Sequence, residues 1–235
     1  MKLSKKLLPL AVSASIAAPI MMGATVAQAD VSATVSVSNF YLWRGQSISN
    51  PGAQIAGSID YSNSGFYAGA WTSSEGAFDA SSETDLYLGY GGSVGDFGYD
   101  ISYWKYLYPQ STAFNANGKL FDNDLSDVVL GLSYGPVSFT GYFGVESGTN
   151  KERYYTLSGD IDKFTLTVGL YKGNNASDGA DYKSYQVAYH FNDDLTFTLS
   201  KISDDGYGAF NGASAWGYDT DPTLNVSYSK TFDLK

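Results

Sequence analysis

Cysteine is absent from this chain of 235 residues, and charged residues make up only 16% of it. Without cysteine, an exported protein of this size is not held together by disulfide bonds. A water-facing surface usually carries charge at about 25–35% of its positions, so the low charge argues against an ordinary soluble surface. After residue 29, no stretch approaches the roughly 18 consecutive apolar residues that a membrane-spanning helix needs. The sequence therefore argues against a disulfide-stapled domain and against a helical membrane protein.

Basic residues are also scarce. The chain has 14 Lys and Arg against 24 Asp and Glu, which gives a formal net charge of −10. Nucleic acid and acidic polymers are disfavoured as partners, because phosphate binding needs a face rich in Lys and Arg. An excess of acids would favour cations if those acids line a pore or its mouths.

The first 29 residues have the pattern of a secretory signal peptide. Lys2, Lys5 and Lys6 precede an apolar core, and the small residues Ala27–Ala29 form a cleavage signal before Asp30. A retained anchor helix is the disfavoured alternative. The sequence predicts that residues 1–29 are removed and that residues 30–235 form one domain.

What the chain has in abundance is tyrosine, phenylalanine and glycine, with 20, 13 and 26 copies. This composition is typical of β-structure with many tight turns. The stretch Val31 to Trp43 alternates apolar and hydroxyl residues, so it predicts a strand with one apolar face. On this interpretation Tyr41 and Trp43 end the apolar face, Trp43 lies at the outer membrane interface, and Arg44 falls on the interior face at the pore mouth.

The same pattern recurs and predicts twelve strands, although the facing of the strand at Glu152 to Gly159 stays open. Tight turns near residues 63, 93, 135, 161 and 192 alternate with longer polar loops. An even strand number with short turns at one end and long loops at the other is typical of an outer-membrane barrel. The predicted fold class is all-β, a transmembrane up-and-down antiparallel β-barrel with its long loops outside and both termini in the periplasm.

Apolar faces bracketed by aromatic residues favour a membrane barrel over a soluble barrel or sandwich, which is the alternative. Interfacial aromatic girdles are a feature of outer-membrane barrels. The residues predicted to join Tyr41 and Trp43 in these girdles lie near strand ends: Tyr90, Phe97, Tyr103, Tyr134 and Tyr228.

Four segments, SNFYLWRGQS, IDYSNSGFYAGAW, DLYLGYGGSVGDFGYDISYWKY and GLSYGPVSF, occur in order along the chain. With these motifs the sequence resembles the TorF-type porins of proteobacteria over essentially residues 30–235. The resemblance implies an uncharacterised family of outer-membrane barrels in Gram-negative bacteria. It implies little about the substrate.

If the apolar faces meet lipid, the opposite faces line the interior. The candidate pore-lining residues are Arg44, Gln54, Asp60, Asp85, Asp100, Trp104, Asp127, Tyr142, Glu146 and Gln186, with His190 on the same faces. Several carboxylates facing one or two basic groups suit a narrow channel that prefers cations. The alternative, that Arg44 pairs with nearby acids inside a plugged lumen, stays open.

No catalytic, metal or cofactor site is predicted. His190 is the single histidine, and no G-x-S-x-G nucleophile motif accompanies it, so the chain is not expected to be an enzyme. Acidic loops at Asp122 to Asp127 and around Asp204 and Asp219 lack the Gly and Glu positions of an EF-hand. These loops are interpreted as solvated, or as bridged to lipopolysaccharide by divalent ions.

The sequence thus predicts an outer-membrane porin for passive diffusion of small polar or cationic solutes. The alternative is a non-conducting structural or adhesive barrel that acts through its external loops. Expected partners are outer-membrane lipid and lipopolysaccharide, the barrel-assembly machinery and the solutes themselves. The expected state is a monomer or a small homo-oligomer.

Overall fold

A computed structural model describes residues 30–49, 52–75, 82–109, 125–145, 151–173, 181–203 and 220–234. The predicted signal peptide, Glu146 and most of the acidic loop residues lie outside these ranges. Within the described part of the chain, no helix is long and apolar enough to span a bilayer.

Twelve strands form a closed antiparallel barrel, as the sequence predicts. These strands are β1 (Asp30–Ser38), β4 (Gln54–Asn63), β5 (Phe66–Ser73), β6 (Glu83–Val94), β7 (Phe97–Leu107), β8 (Ser126–Tyr134), β9 (Val137–Gly144), β10 (Arg153–Ile161), β11 (Phe164–Lys172), β12 (Tyr182–His190), β13 (Leu195–Ile202) and β14 (Thr223–Leu234). Each pairs with its neighbour along the barrel, and β1 closes on β14 with Val31 opposite Leu234. Closure leaves no barrel strand with an unpaired edge.

The connections sort to the two ends of the barrel. Tight turns at residues 64–65, 95–96, 135–136 and 162–163, together with the short connection at 191–194, lie at one end. The start of β1 and the end of β14 lie at that same end, because Val31 pairs with both Tyr61 and Leu234. We call this the tight-turn end and the opposite one the long-loop end.

Side chains alternate between the outside and the lumen as the period of two requires. Along β4, Ile55 and Ile59 are more than 60% exposed, whereas Gln54 and Ala56 are buried. The strand whose facing the sequence left open is β10, which turns Tyr154, Thr156 and Ser158 inward. The predicted girdle residues Tyr90, Phe97, Tyr103, Tyr134 and Tyr228 all lie exposed on the outer surface.

The prediction for the end of the first strand is wrong. Strand β1 stops at Ser38, and the chain then turns into the barrel, where Tyr41 is 1% exposed and Trp43 is half-buried. Two short strands follow inside the barrel, β2 (Leu42–Trp43) and β3 (Gln46–Ser47). We call Leu42–Ser47 the inward hairpin. Alternation alone did not indicate this change of direction, because a hairpin strand preserves the period of two.

Candidate functional site

The inward hairpin turns on Arg44 and Gly45, which have positive φ values of 48° and 89°. A two-residue hairpin loop of type I′ needs positive φ at both central residues, and glycine adopts it without strain. A Cβ at Gly45 would lie 2.4 Å from Ser184 Cβ, so the turn touches the barrel wall. Trp-Arg-Gly-Gln is therefore a turn sequence, and its second central position must be glycine-sized because it lies against the barrel wall.

Hydrogen bonds fasten the hairpin to one side of the wall. The Tyr182 hydroxyl accepts from Gln46 Nε2 at 2.6 Å and donates to the Arg44 carbonyl at 3.1 Å. Ser200 Oγ donates to the Gly45 carbonyl at 2.7 Å. Asn225 Nδ2 reaches the carbonyl of Phe40 at 2.9 Å, just before the hairpin. These contacts hold the hairpin in the long-loop half of the lumen, against β12, β13 and β14.

On the other side of the lumen, a salt bridge joins the hairpin to the barrel wall. Arg44 Nη2 donates to Asp127 Oδ2 at 2.7 Å, and both side chains are less than 10% exposed. Glu152 Oε2 lies 3.9 Å from Arg44 Nη1, and the Tyr106 hydroxyl donates to Asp127 Oδ2 at 2.9 Å. Burial is the largest single effect and disfavours the charged guanidinium, but Asp127, Tyr106, Tyr171 and Glu152 together outweigh it, so the pKa of Arg44 lies above its ordinary value.

Four aromatic rings surround the guanidinium of Arg44. The Cζ atom lies 4.5 Å from the ring centre of Trp43, 5.4 Å from that of Tyr142, and 5.7 Å from those of Tyr154 and Tyr171. Aromatic faces attract cations at distances up to about 6 Å. The lumen therefore stabilises a positive charge both by a carboxylate and by π systems.

Buried aromatic side chains also pack the lumen, mostly in the long-loop half, with Tyr67 lying nearer the tight-turn end. One buried cluster contains Tyr67, Tyr87, Trp104, Tyr106, Tyr108 and Val129, and a second contains Tyr154, Tyr171, Tyr182 and Ile202. Tyr87 stacks on Trp104 at 4.2 Å between ring centres, and Tyr171 stacks on Tyr182 at 4.8 Å. Together with the hairpin, these rings leave little of the described long-loop half accessible to water.

Strand β6 places two carboxylates beside the hairpin. Glu83 and Asp85 are 1% and 0% exposed. Tyr108 donates to Glu83 Oε1 at 3.0 Å, while Glu83 Oε2 and both Asp85 oxygens have no hydrogen-bond partner. The hydroxyl of Tyr41 is likewise buried without a partner, and the Tyr41 ring lies 5.9 Å from that of Trp71.

The tight-turn half has a different lining, which we call the vestibule. Its inward side chains are small, polar and half-buried: Thr34, Ser36, Ser58, Asp60, Thr140, Ser158, Asp160, Thr165, Thr167, His190 and Ser227. Ser58 Oγ donates to Asp60 at 2.7 Å, and Thr165 Oγ1 donates to Asp160 at 2.7 Å. A lining of hydroxyls and partly solvated carboxylates suits a water-filled entrance.

His190 contacts two threonine hydroxyls, at 3.0 Å to Thr165 and 3.2 Å to Thr196. Because the Thr165 hydroxyl donates to Asp160, this histidine does not activate it as a base would activate a nucleophile. The absence of enzyme activity stays a prediction.

The predicted pore-lining residues fall inside the barrel where the structure describes them. Arg44, Gln54, Asp85, Asp100, Trp104, Asp127 and Gln186 are buried, while Asp60 and Tyr142 are half-buried. Glu146 lies outside the described residues. The hairpin brings Arg44 and Asp127 together. Asp60 and Asp100 lie nearer the tight-turn end of β4 and β7, where they accept hydrogen bonds from tyrosine hydroxyls. Whether any of them lines a conducting pore stays a prediction.

Sequence reasoning missed Glu83 and the anchors of the hairpin. Glu83 follows a polar stretch of sequence that is typical of a loop, although its position two residues before Asp85 places both on one strand face. Tyr182 and Ser200 carry no local signal, since their role depends on a segment about 140 residues away. The one available signal for the hairpin was Arg44–Gly45 as a turn pair.

Residues 23–232 match the model of a family described as "Bacterial protein of unknown function (Gcw_chp)". No curated protein matches the sequence. The TorF-type resemblance is not confirmed by the family match and stays a prediction.

Solved structures with a similar chain path include OccAB2 of Acinetobacter baumannii, with 12% identity and a TM-score of 0.40, covering 86% of this chain and 60% of that one. The chain therefore spans about 60% of the length of OccAB2. Outer membrane phospholipase A from Escherichia coli has 9% identity and a TM-score of 0.41, covering 88% and 92%. A mutant Rh. blastica porin has 9% identity and a TM-score of 0.32, covering 88% and 99%. Similarities at these scores support no inference about function.

Proposed function

The chain belongs to the Gcw_chp family of bacterial proteins of unknown function, and we propose that it forms a narrow porin-like channel in the bacterial outer membrane. The solutes would be small and either polar or cationic, and passage would be passive. The inward hairpin would form the constriction.

The outer surface of the barrel supports a membrane location. Large apolar side chains cover it, and Ile55, Ile59 and Leu157 are each more than half exposed. A soluble monomer rarely exposes so much contiguous apolar surface, whereas a barrel in lipid requires it. Closure of β1 on β14 also satisfies the backbone groups that lipid cannot. The tight-turn end would face the periplasm, as in other outer-membrane barrels.

The balance of charge in the lumen carries the proposal. Outside the fully buried pair Glu83 and Asp85, inward carboxylates lie on four strands: Asp60, Asp100, Asp127 and Asp160. Among the described inward-facing residues, Arg44 is the one Lys or Arg, and Asp127 neutralises it. A low-dielectric lumen with surplus negative charge raises the local concentration of cations and disfavours anions.

Ion selectivity in planar bilayers tests this function. The folded barrel should give small conductance steps, and a KCl gradient should give a reversal potential of the sign for cation selectivity. A reversal potential of the opposite sign would contradict the proposal.

A second candidate is the non-conducting structural or adhesive barrel. The close packing around Tyr41, Trp104 and Tyr182 favours it, because these side chains are each less than 5% exposed inside the lumen. If neither the native barrel nor one without its hairpin conducts, this second function is the one to pursue. Export by a signal peptide, assembly by the barrel machinery and contact with lipopolysaccharide accompany both proposals.

A further inference from the structure

Two carboxylates in the long-loop half have no compensating charge. Glu83 and Asp85 are fully buried on β6, and neither forms a salt bridge in the described part of the chain. An unpaired carboxylate in an apolar site costs several kcal/mol, and two adjacent ones cost more. Either protons or a bound cation must offset this cost when the barrel is folded.

The aromatic surroundings of Glu83 and Asp85 increase the free-energy cost of burying two charged carboxylates. Asp85 lies opposite Trp71 on β5 and opposite Tyr106 on β7, so aromatic rings flank it on both sides. Tyr41 of the chain leading into the hairpin packs against Trp71. Trp71 is the residue opposite Asp85, so Tyr41 lies on the same side of the lumen as the pair, and its buried hydroxyl has no hydrogen-bond partner.

Four oxygens of Tyr41, Glu83 and Asp85 are buried without a hydrogen-bond partner. They are Glu83 Oε2, Asp85 Oδ1, Asp85 Oδ2 and the Tyr41 hydroxyl. Hard cations such as Ca²⁺ prefer carboxylate, hydroxyl and water oxygens over nitrogen and sulfur. Two carboxylates also match the charge of one divalent ion.

We propose that Glu83, Asp85 and Tyr41 bind a divalent cation of the Ca²⁺ class between β6 and the inward hairpin. No third carboxylate joins this cluster among the described residues, so water completes the coordination shell. The ion offsets the two buried charges, and through Tyr41 it ties the hairpin to the wall opposite Tyr182 and Ser200. This site does not depend on solute passage, because a barrel that conducts nothing would still bind the ion.

Terbium is a suitable probe, since Tb³⁺ occupies Ca²⁺ sites and luminesces when nearby tyrosine or tryptophan is excited. The full mature barrel is folded into detergent with Tb³⁺ present, because the site is closed once folded. We expect sensitised emission, which is lost when excess Ca²⁺ is also present in the folding mixture. The Glu83→Gln/Asp85→Asn variant should lose it. The matched control Asp60→Asn/Asp160→Asn removes two vestibule carboxylates and should retain it.

Heat-modifiable gel migration establishes that each variant has folded. If the double variant does not fold, Asp85→Asn alone is measured in its place. Emission that is equal in the native protein and in the Glu83/Asp85 variant would place the ion elsewhere and overturn the proposal. Absence of emission that competes with Ca²⁺ during folding would also overturn it, and would mean that the carboxyl pair is neutralised by protons instead.

Discussion

The two halves of the lumen share the same twelve strands and differ in the side chains that those strands direct inward. In the long-loop half, the hairpin, its charge pair and most of the two aromatic clusters are buried. In the vestibule, threonine, serine and aspartate side chains are half-buried. A barrel of fixed strand number can therefore be packed closely in one half and more loosely in the other by side chains and one inserted segment.

Acidic residues also have different surroundings in the two halves of the lumen. Asp127 is 3% exposed and is neutralised by Arg44, whereas Asp160 in the vestibule is half-buried and accepts a hydrogen bond from Thr165. Removing the partner of a buried charge costs far more than changing a solvated one. The same residue type thus stabilises structure in one half and sets the local potential in the other.

The largest effect should come from removing the hairpin itself. Replacing residues 41–48 with a short glycine-serine segment takes away the constriction while leaving β1 and β4 paired through Val37 and Ile55. We expect single-channel conductance to rise several-fold over the native barrel. An unchanged conductance in a variant that still shows heat-modifiable migration would mean that the hairpin does not limit passage.

Next in size is the loss of the charge pair. Arg44→Ala leaves Asp127 buried at 3% exposure without its cation. We expect the free energy of unfolding in urea to fall by about 3–5 kcal/mol, the usual cost of orphaning a buried charge. Arg44→Ala/Asp127→Ala should recover part of that loss. A double variant whose loss equals or exceeds the sum of the two single losses would show that the pair is not coupled as described.

A smaller loss of stability is expected from a substitution at Gly89, where the ring of Tyr67 lies against the barrel wall in the tight-turn half. An alanine Cβ at Gly89 would lie 2.4 Å from Tyr67 Cζ and 2.8 Å from Ser102 Cβ. Gly89→Ala should lower the free energy of unfolding by about 1–3 kcal/mol through overpacking. Gly159→Ala is the matched control, since nothing lies within 4 Å of its Cβ position. Equal stability of the two variants would be evidence against this close approach.

The smallest effect should come from Asp160→Asn in the vestibule. The side chain is half-buried and the amide oxygen can still accept from Thr165, so the free energy of unfolding should change by less than about 0.5 kcal/mol. The reversal potential in a KCl gradient should shift slightly toward lower cation selectivity. A large loss of stability would show that the vestibule is not as hydrated as its exposure indicates.

Most of the fold was predictable because barrel strands carry a strong period of two. The alternation at Ile55 and Ile59 predicts a lipid-facing surface, and both residues lie exposed on the outside, while the tight turns fix the order of the strands. The departure at Ser38 was not predictable, since Tyr41 and Trp43 continue the same alternation inside the lumen. Their partners Trp71 and Tyr171 lie on distant strands, and only closure of the barrel brings them together.

Thiol labelling tests most directly whether the segment after Ser38 folds into the lumen. The native chain has no cysteine, so single substitutions can be read without background. Leu42 is 0% exposed in the hairpin, and Ser58 is half-buried in the vestibule. With a small water-soluble maleimide on the folded barrel, Ser58→Cys should react readily and Leu42→Cys only after unfolding. Equal reaction rates would contradict the inward hairpin.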